Sequence, residues 1–211
     1  MRTVFRRGVS SVVSYLISIG LLLIIGCSRP DWFVGTGGKY NEARMELTRG
    51  QNANIDKAIS NLESVVQESP TYLDSLTLLG RAYYKKRRYY DAHLILQRAV
   101  AVNKEDEIAW LVFGLAQIRL GNAEKGLESI KGGITLLSKA MGDDYRGFSA
   151  WDQRKTVRTS LRRSAVQAVK GLEDTDALVS IVEQLLARID EEEWAQRRGK
   201  LIDRATERSG P

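Results

Sequence analysis

Cysteine and histidine are almost absent: Cys27 and His93 are the single examples of each in 211 residues. One cysteine excludes an intramolecular disulfide and any site built on several thiolates. One histidine excludes a His-rich zinc site, and no nucleophile or carboxylate stands at a spacing that would make His93 part of a Ser-His-Asp arrangement. Three prolines exclude a collagen-like or proline-rich rod. A Gly-rich phosphate loop is also missing. Gly35-Thr36-Gly37-Gly38-Lys39 has neither a preceding strand nor the required spacing. The acid runs Asp143-Asp144 and Asp190 to Glu193 lack the alternation of a calcium loop and read as solvated helix ends. No catalytic residue, metal ligand or cofactor is therefore expected, and no enzymatic role. What remains is 43% apolar and 27% charged residues, the balance of a folded chain rather than a disordered one.

The formal charge of +6 is unevenly placed. Arg2, Arg6 and Arg7 precede an uncharged run, 8–28, whose densest apolar part extends from Tyr15 to Ile25. A basic start, an apolar core and a small-residue exit are the parts of a secretory signal. The exit, Ile24-Ile25-Gly26-Cys27, resembles the bacterial lipobox. That resemblance implies a signal peptide at 1–26, cleavage between Gly26 and Cys27, and acylation of Cys27, with palmitate among its chains. Several chains hold a protein on a bilayer stably where one does not. An uncleaved membrane helix is the alternative, since the uncharged run is long enough to span, although Ser10, Ser11, Ser14 and Ser18 weaken it. Arg6-Arg7 makes a poor twin-arginine signal. Beyond residue 26 the balance is 29 cations against 26 anions, about +3, which removes the charge argument for nucleic acid. Residues 27–38, ending in Gly37-Gly38, read as a flexible tether.

Beyond the tether the chain repeats itself. Leu79-Gly80 recurs as Phe113-Gly114. Ala58, Ala92 and Gly126 keep the same period, as do Leu62, Leu96 and Ile130, and Val65, Ala99 and Gly133. Self-similarity at a period of about 34 residues marks a repeat architecture. The pattern resembles the tetratricopeptide repeat family. Residues 73–106 carry it with Leu76, Leu79, Gly80, Tyr83, Ala92, Leu96 and Ala99, and residues 107–140 with Trp110, Phe113, Gly114 and Ile130. Residues 39–72 carry it more weakly, with Ala58, Leu62 and Pro70. The expectation is an all-α fold, a right-handed superhelix of three helix hairpins closed by a helical cap at 141–208. In that cap residues 145–170 hold seven bases and one acid, and residues 171–193 eight acids and one base. Opposite charge favours pairing the two as an antiparallel hairpin.

The resemblance also implies a partner groove along the concave face formed by the first helix of each pair. Carried over position by position, that face holds Tyr40, Ala43, Arg44 and Leu47, then Asp74, Thr77, Arg81, Tyr84 and Lys85, then Ile108, Leu111, Leu115, Ile118 and Arg119. Thr77 and Arg81 depart from the clamp that takes chaperone C-terminal peptides. Leu111, Leu115 and Ile118 form an apolar stripe, read either as a peptide groove or as surface buried under the C-terminal hairpin. Tyr83 to Tyr90 enclose Lys85, Lys86, Arg87 and Arg88, a candidate patch for anionic lipid or wall polymer. The resulting expectation is a lipid-anchored envelope protein that binds other envelope proteins as a scaffold or assembly accessory. Ser28 resembles the residue that permits sorting to the periplasmic face of an outer membrane. The alternatives are an anionic-polymer adaptor and a structural homo-oligomer.

Overall fold

A computed structural model describes residues 35–142, 152 and 154–208, with side chains left aside at 51 and 200–208. The chain divides into a unit at Met1–Gly35 and a body at Thr36–Pro211. The signal segment, the lipobox, Cys27 and Ser28 lie outside the described residues, as do Asp143 and Asp144. No helix among the described residues is long and apolar enough to cross a membrane.

Among the described residues the body holds eight α-helices and no strand. They are α1 (Thr36–Thr48), α2 (Ile55–Glu68), α3 (Ser75–Lys85), α4 (Tyr89–Val102), α5 (Glu107–Arg119), α6 (Ala123–Gly142), α7 (Thr156–Lys170) and α8 (Thr175–Arg208). The starts of α2, α5 and α8 are capped by short polar side chains that take up orphan N–H groups. Asn54 accepts from the Lys57 N–H at 3.0 Å, Asp106 from Ala109 at 2.8 Å and Asp174 from Ala177 at 2.8 Å. Asp152 receives the N–H groups of Val157 and Arg158 at 3.1 and 2.9 Å and so closes the start of α7. Helix α1 begins inside the stretch read as tether. Thr36 and Lys39 bind Glu68 of α2 at 2.7 and 2.8 Å, and Gly37 passes so close to Tyr72 that a β-carbon there would stand 3.1 Å from its hydroxyl.

Successive helices pair as α1/α2, α3/α4, α5/α6 and α7/α8, and each pair packs on the next through α2–α3, α4–α5 and α6–α7. The core follows the repeated positions: Leu62, Leu96 and Ile130 are fully buried, as are Ala58 and Ala92. Tight approach explains why the third pair uses glycine where the others use alanine. A β-carbon at Gly126 would lie 2.6 Å from the Gly114 carbonyl oxygen, and one at Gly133 2.9 Å from that of Glu107. Backbone lies against backbone there, so no methyl group fits.

The turns repeat as faithfully as the core. Arg88 N–H reaches the Tyr83 carbonyl at 2.9 Å, and one repeat later Asn122 N–H reaches that of Gln117 at 2.9 Å. Both are the long hydrogen bond of a Schellman motif, which needs a left-handed residue just before it. Gly121 supplies that conformation at φ +87°, whereas the equivalent residue of the earlier turn is Arg87, at φ +59°.

The C-terminal third departs from a cap stacked on the end of the array. Helix α7 does stack on α6, but α8 turns back across α1 and α5. It is a single helix of 34 residues, running on through Trp194.

Candidate functional site

The first-helix face holds a ladder of cations: Arg44 on α1, Arg81 and Lys85 on α3, Arg119 on α5. Helix α8 lies over it and answers each one. Glu183 accepts from the Tyr84 hydroxyl at 2.6 Å and from Arg119 at 3.3 Å. Asp190 accepts from Arg81 and, at 3.0 Å, from Lys85. Glu193 accepts from Arg44 at 2.7 Å and from Arg197 at 2.9 Å. The acids stand at i, i+7 and i+10, so one face of α8 carries them all. They meet α5, then α3, then α1, so α8 runs against the order of the repeats.

The centre of this contact is dry. Arg81 and Asp190 are each only 6% exposed. Burial works against the Arg81 charge, and Asp190 outweighs it and raises the pKa. Burial lowers Lys85, with the Arg81 charge in the same sense and Asp190 against it. Burial also raises the Tyr84 hydroxyl, assisted by its hydrogen bond to Glu183. At the α1 end Tyr40 donates to Asp74 and accepts from Arg44 at 2.8 Å, and burial again raises its pKa. Beside this network Thr77 donates to Asp106 at 2.5 Å. Burial raises the Asp106 and Glu107 carboxyls from their ordinary values.

The structure thus brings Arg81, Tyr84 and Lys85 together, with Thr77 alongside, and roofs them with α8. The apolar stripe offers no open groove. Leu111 and Leu115 are fully buried. Leu111 and Ile118 pack inside their own hairpin, where β-carbons at Gly133 and Gly126 would stand 2.8 and 2.5 Å from them. The basic turn is largely partnered. Lys85 belongs to the Asp190 contact and also donates to the Leu47 carbonyl, Lys86 pairs with Asp56 at 2.8 Å, and Arg88 pairs with Asp91 at 2.7 Å over the Tyr83 ring. Arg87 alone has no acidic partner among the described residues. It opens onto a hollow of about 360 Å³ shared with Tyr89, Arg119 and Leu186. His93 stacks on Phe113 with centroids 5.0 Å apart, and its buried Nδ1 has no hydrogen-bond partner.

Two sequence expectations need correction. Asp190 and Glu192 are not at a solvated helix end; they are 6% and 5% exposed. The acids of α8 also do not serve mainly to pair with the bases of α7. Among the described residues the basic segment 145–170 meets an acid of α8 through Arg154, just before α7, which lies 3.8 Å from Glu192. The signal for the actual arrangement was in the sequence, in the spacing of Glu183, Asp190 and Glu193 beside Val182, Leu186 and Ile189.

Stacked helix hairpins, the middle ones at a common period and with a polar face on their first helices, resemble the architecture of tetratricopeptide repeats. In agreement, residues 51–133 match the family model described as anaphase-promoting complex, cyclosome, subunit 3, a family of tetratricopeptide-like repeats. The match runs from the start of α2 into α6, well under half of the chain, and leaves out α1, α7 and α8. No curated protein matches the chain. Repeats of this kind generally mediate contacts between proteins.

Proposed function

We propose that this protein is a lipid-anchored scaffold of the bacterial envelope, tethered through Cys27, on the periplasmic face of the outer membrane where two membranes exist. It holds another envelope protein near the bilayer during assembly or stabilisation of a complex. The observation that carries the binding role is the unbroken stack of hairpins from α1 to α7, matched over 51–133 to a repeat family of interaction proteins. The lipobox-like Ile24-Ile25-Gly26-Cys27 supports the anchor.

The two halves of this reading are tested separately. Intact mass of the chain from its native host is expected to show loss of residues 1–26 and the added mass of acyl chains, and Cys27→Ser to abolish both. Retention of Met1 with a bare thiol overturns the anchor. A photo-crosslinking residue at Arg87, beside the open hollow, is expected to trap a single envelope protein. Crosslinks only to a second copy of this chain, with sedimentation as a dimer or larger, would replace the scaffold with a homo-oligomer.

A further inference from the structure

Helix α7 presents an exposed face that forms no ion pair with the described residues of the body. Arg162, Arg163, Val166, Val169 and Lys170 lie on it, and all five are exposed. Val166 and Val169 are 62% and 84% exposed, high values for branched apolar side chains. The face carries no acid. Of the acids that balance α7 by composition, Glu183, Asp190 and Glu193 of α8 are taken by Arg44, Arg81, Lys85 and Arg119. Arg162, Arg163 and Lys170 have no ion-pair partner among the described residues. Beside them Val166, Gln167 and Ile181 wall a shallow, mostly apolar hollow of about 310 Å³ with the two arginines at its rim.

Cations interleaved with exposed aliphatic groups on one helix face, without acids, fit an anionic surface that is apolar just beneath its charge. Basic side chains are drawn to anionic lipid headgroups, and the valines reach the acyl boundary. We infer that the outer face of α7 docks on an anionic bilayer. A membrane is favoured over an acidic protein by reach as well as by chemistry. Helix α1 starts at Thr36, so the body lies at most nine residues from Cys27, about 30 Å of extended chain. That proximity rests on the lipid-anchor reading; the charge and apolar character of the face do not.

The test uses the full chain as Cys27→Ser with Val169→Cys carrying an environment-sensitive dye, reconstituted with neutral phosphatidylcholine vesicles or with vesicles holding about a third phosphatidylglycerol. Flotation reports attachment through residues 8–28, and dye emission reports docking of α7. The expected result is a blue shift at 169 with the anionic vesicles alone, and none for a dye placed by Leu94→Cys on α4. Arg162→Glu with Arg163→Glu is expected to weaken the emission-derived partitioning at least about tenfold while flotation and circular dichroism stay unchanged. A chain that floats with both vesicles while the 169 emission stays constant overturns the docking and leaves the anchor standing. Where the chain does not float with neutral vesicles, flotation and an emission shift with the anionic ones together uphold docking, and the absence of both overturns it; the acyl anchor is judged by intact mass alone. An emission shift with soluble polyglutamate and none with vesicles assigns the face to an acidic protein and overturns the proposal.

Discussion

Arg87 stands at φ +59° where the next repeat places Gly121 at φ +87°. A side chain in the left-handed region meets its own carbonyl, at a cost of about 1 kcal/mol that glycine avoids. Arg87→Gly is therefore expected to stabilise the protein by about 0.5–1 kcal/mol, read as an upward shift of a few degrees in Tm. A fall in Tm would show that the Arg87 side chain makes a contact worth more than the strain. Glycines buried at the helix crossings behave in the opposite way. A β-carbon at Gly114 would lie 2.5 Å from the Gly126 carbonyl oxygen, and one at Gly80 would run into the Leu96 side chain. Backbone cannot rotate aside as a side chain can, so Gly114→Ala is expected to cost about 3 kcal/mol in chemical denaturation and Gly80→Ala less. Equal losses would mean that Leu96 is held as rigidly as the backbone.

Among the elements, α5 carries an acid that burial disfavours. Asp106 caps it through the Ala109 N–H and receives the Thr77 hydroxyl, yet burial still raises its pKa. A carboxyl raised in the folded state contributes stability that is fully present below its unfolded value, near 3.9, and is lost as pH rises through the folded value. Asp106→Asn keeps a cap acceptor and removes that titration. The variant is expected to match the parent near pH 3 and to gain on it as pH rises through the folded value of Asp106. Denaturation of both proteins across pH measures the difference, and one that does not change with pH would refute the assignment. Elements were also where the sequence was most legible. A strict period makes each helix pair announce the next, so α2 to α6 could be placed from Ala58, Leu62, Gly80, Leu96 and Ile130. Helix α8 was legible as a helix, and its hairpin as one of two readings for what meets the Leu111, Leu115 and Ile118 stripe, but its place over Arg44, Arg81 and Arg119 was not. Its partners Arg44, Arg81 and Arg119 are far off in sequence, and charge periodicity does not say which of two basic surfaces a helix will choose.

For the molecule as a whole, that choice ties the last helix to the first three hairpins. Asp190 faces Arg81 in a setting where both are nearly excluded from water. Removing one member of such a pair strands the other charge, which costs about 3–5 kcal/mol, whereas replacing both with apolar groups is often neutral. Asp190→Ala alone is expected to lower stability by about that amount and to speed amide exchange in α8 around Ile189, because Lys85 also loses its carboxylate. Arg81→Met in the same chain is expected to return much of the loss, since Met fills the space without a stranded guanidinium. The double variant separates two roles for the contact. If stability returns and α8 still exchanges rapidly, the ion pair positions the helix over the first-helix face, and apolar contacts from Leu185 and Ile189 supply adhesion without register. If both return, the buried leucine and isoleucine face fixes α8 unaided. If neither returns, the loss lies in Asp190 packing itself, and the assignment of this carboxylate as the partner that keeps Arg81 buried is wrong.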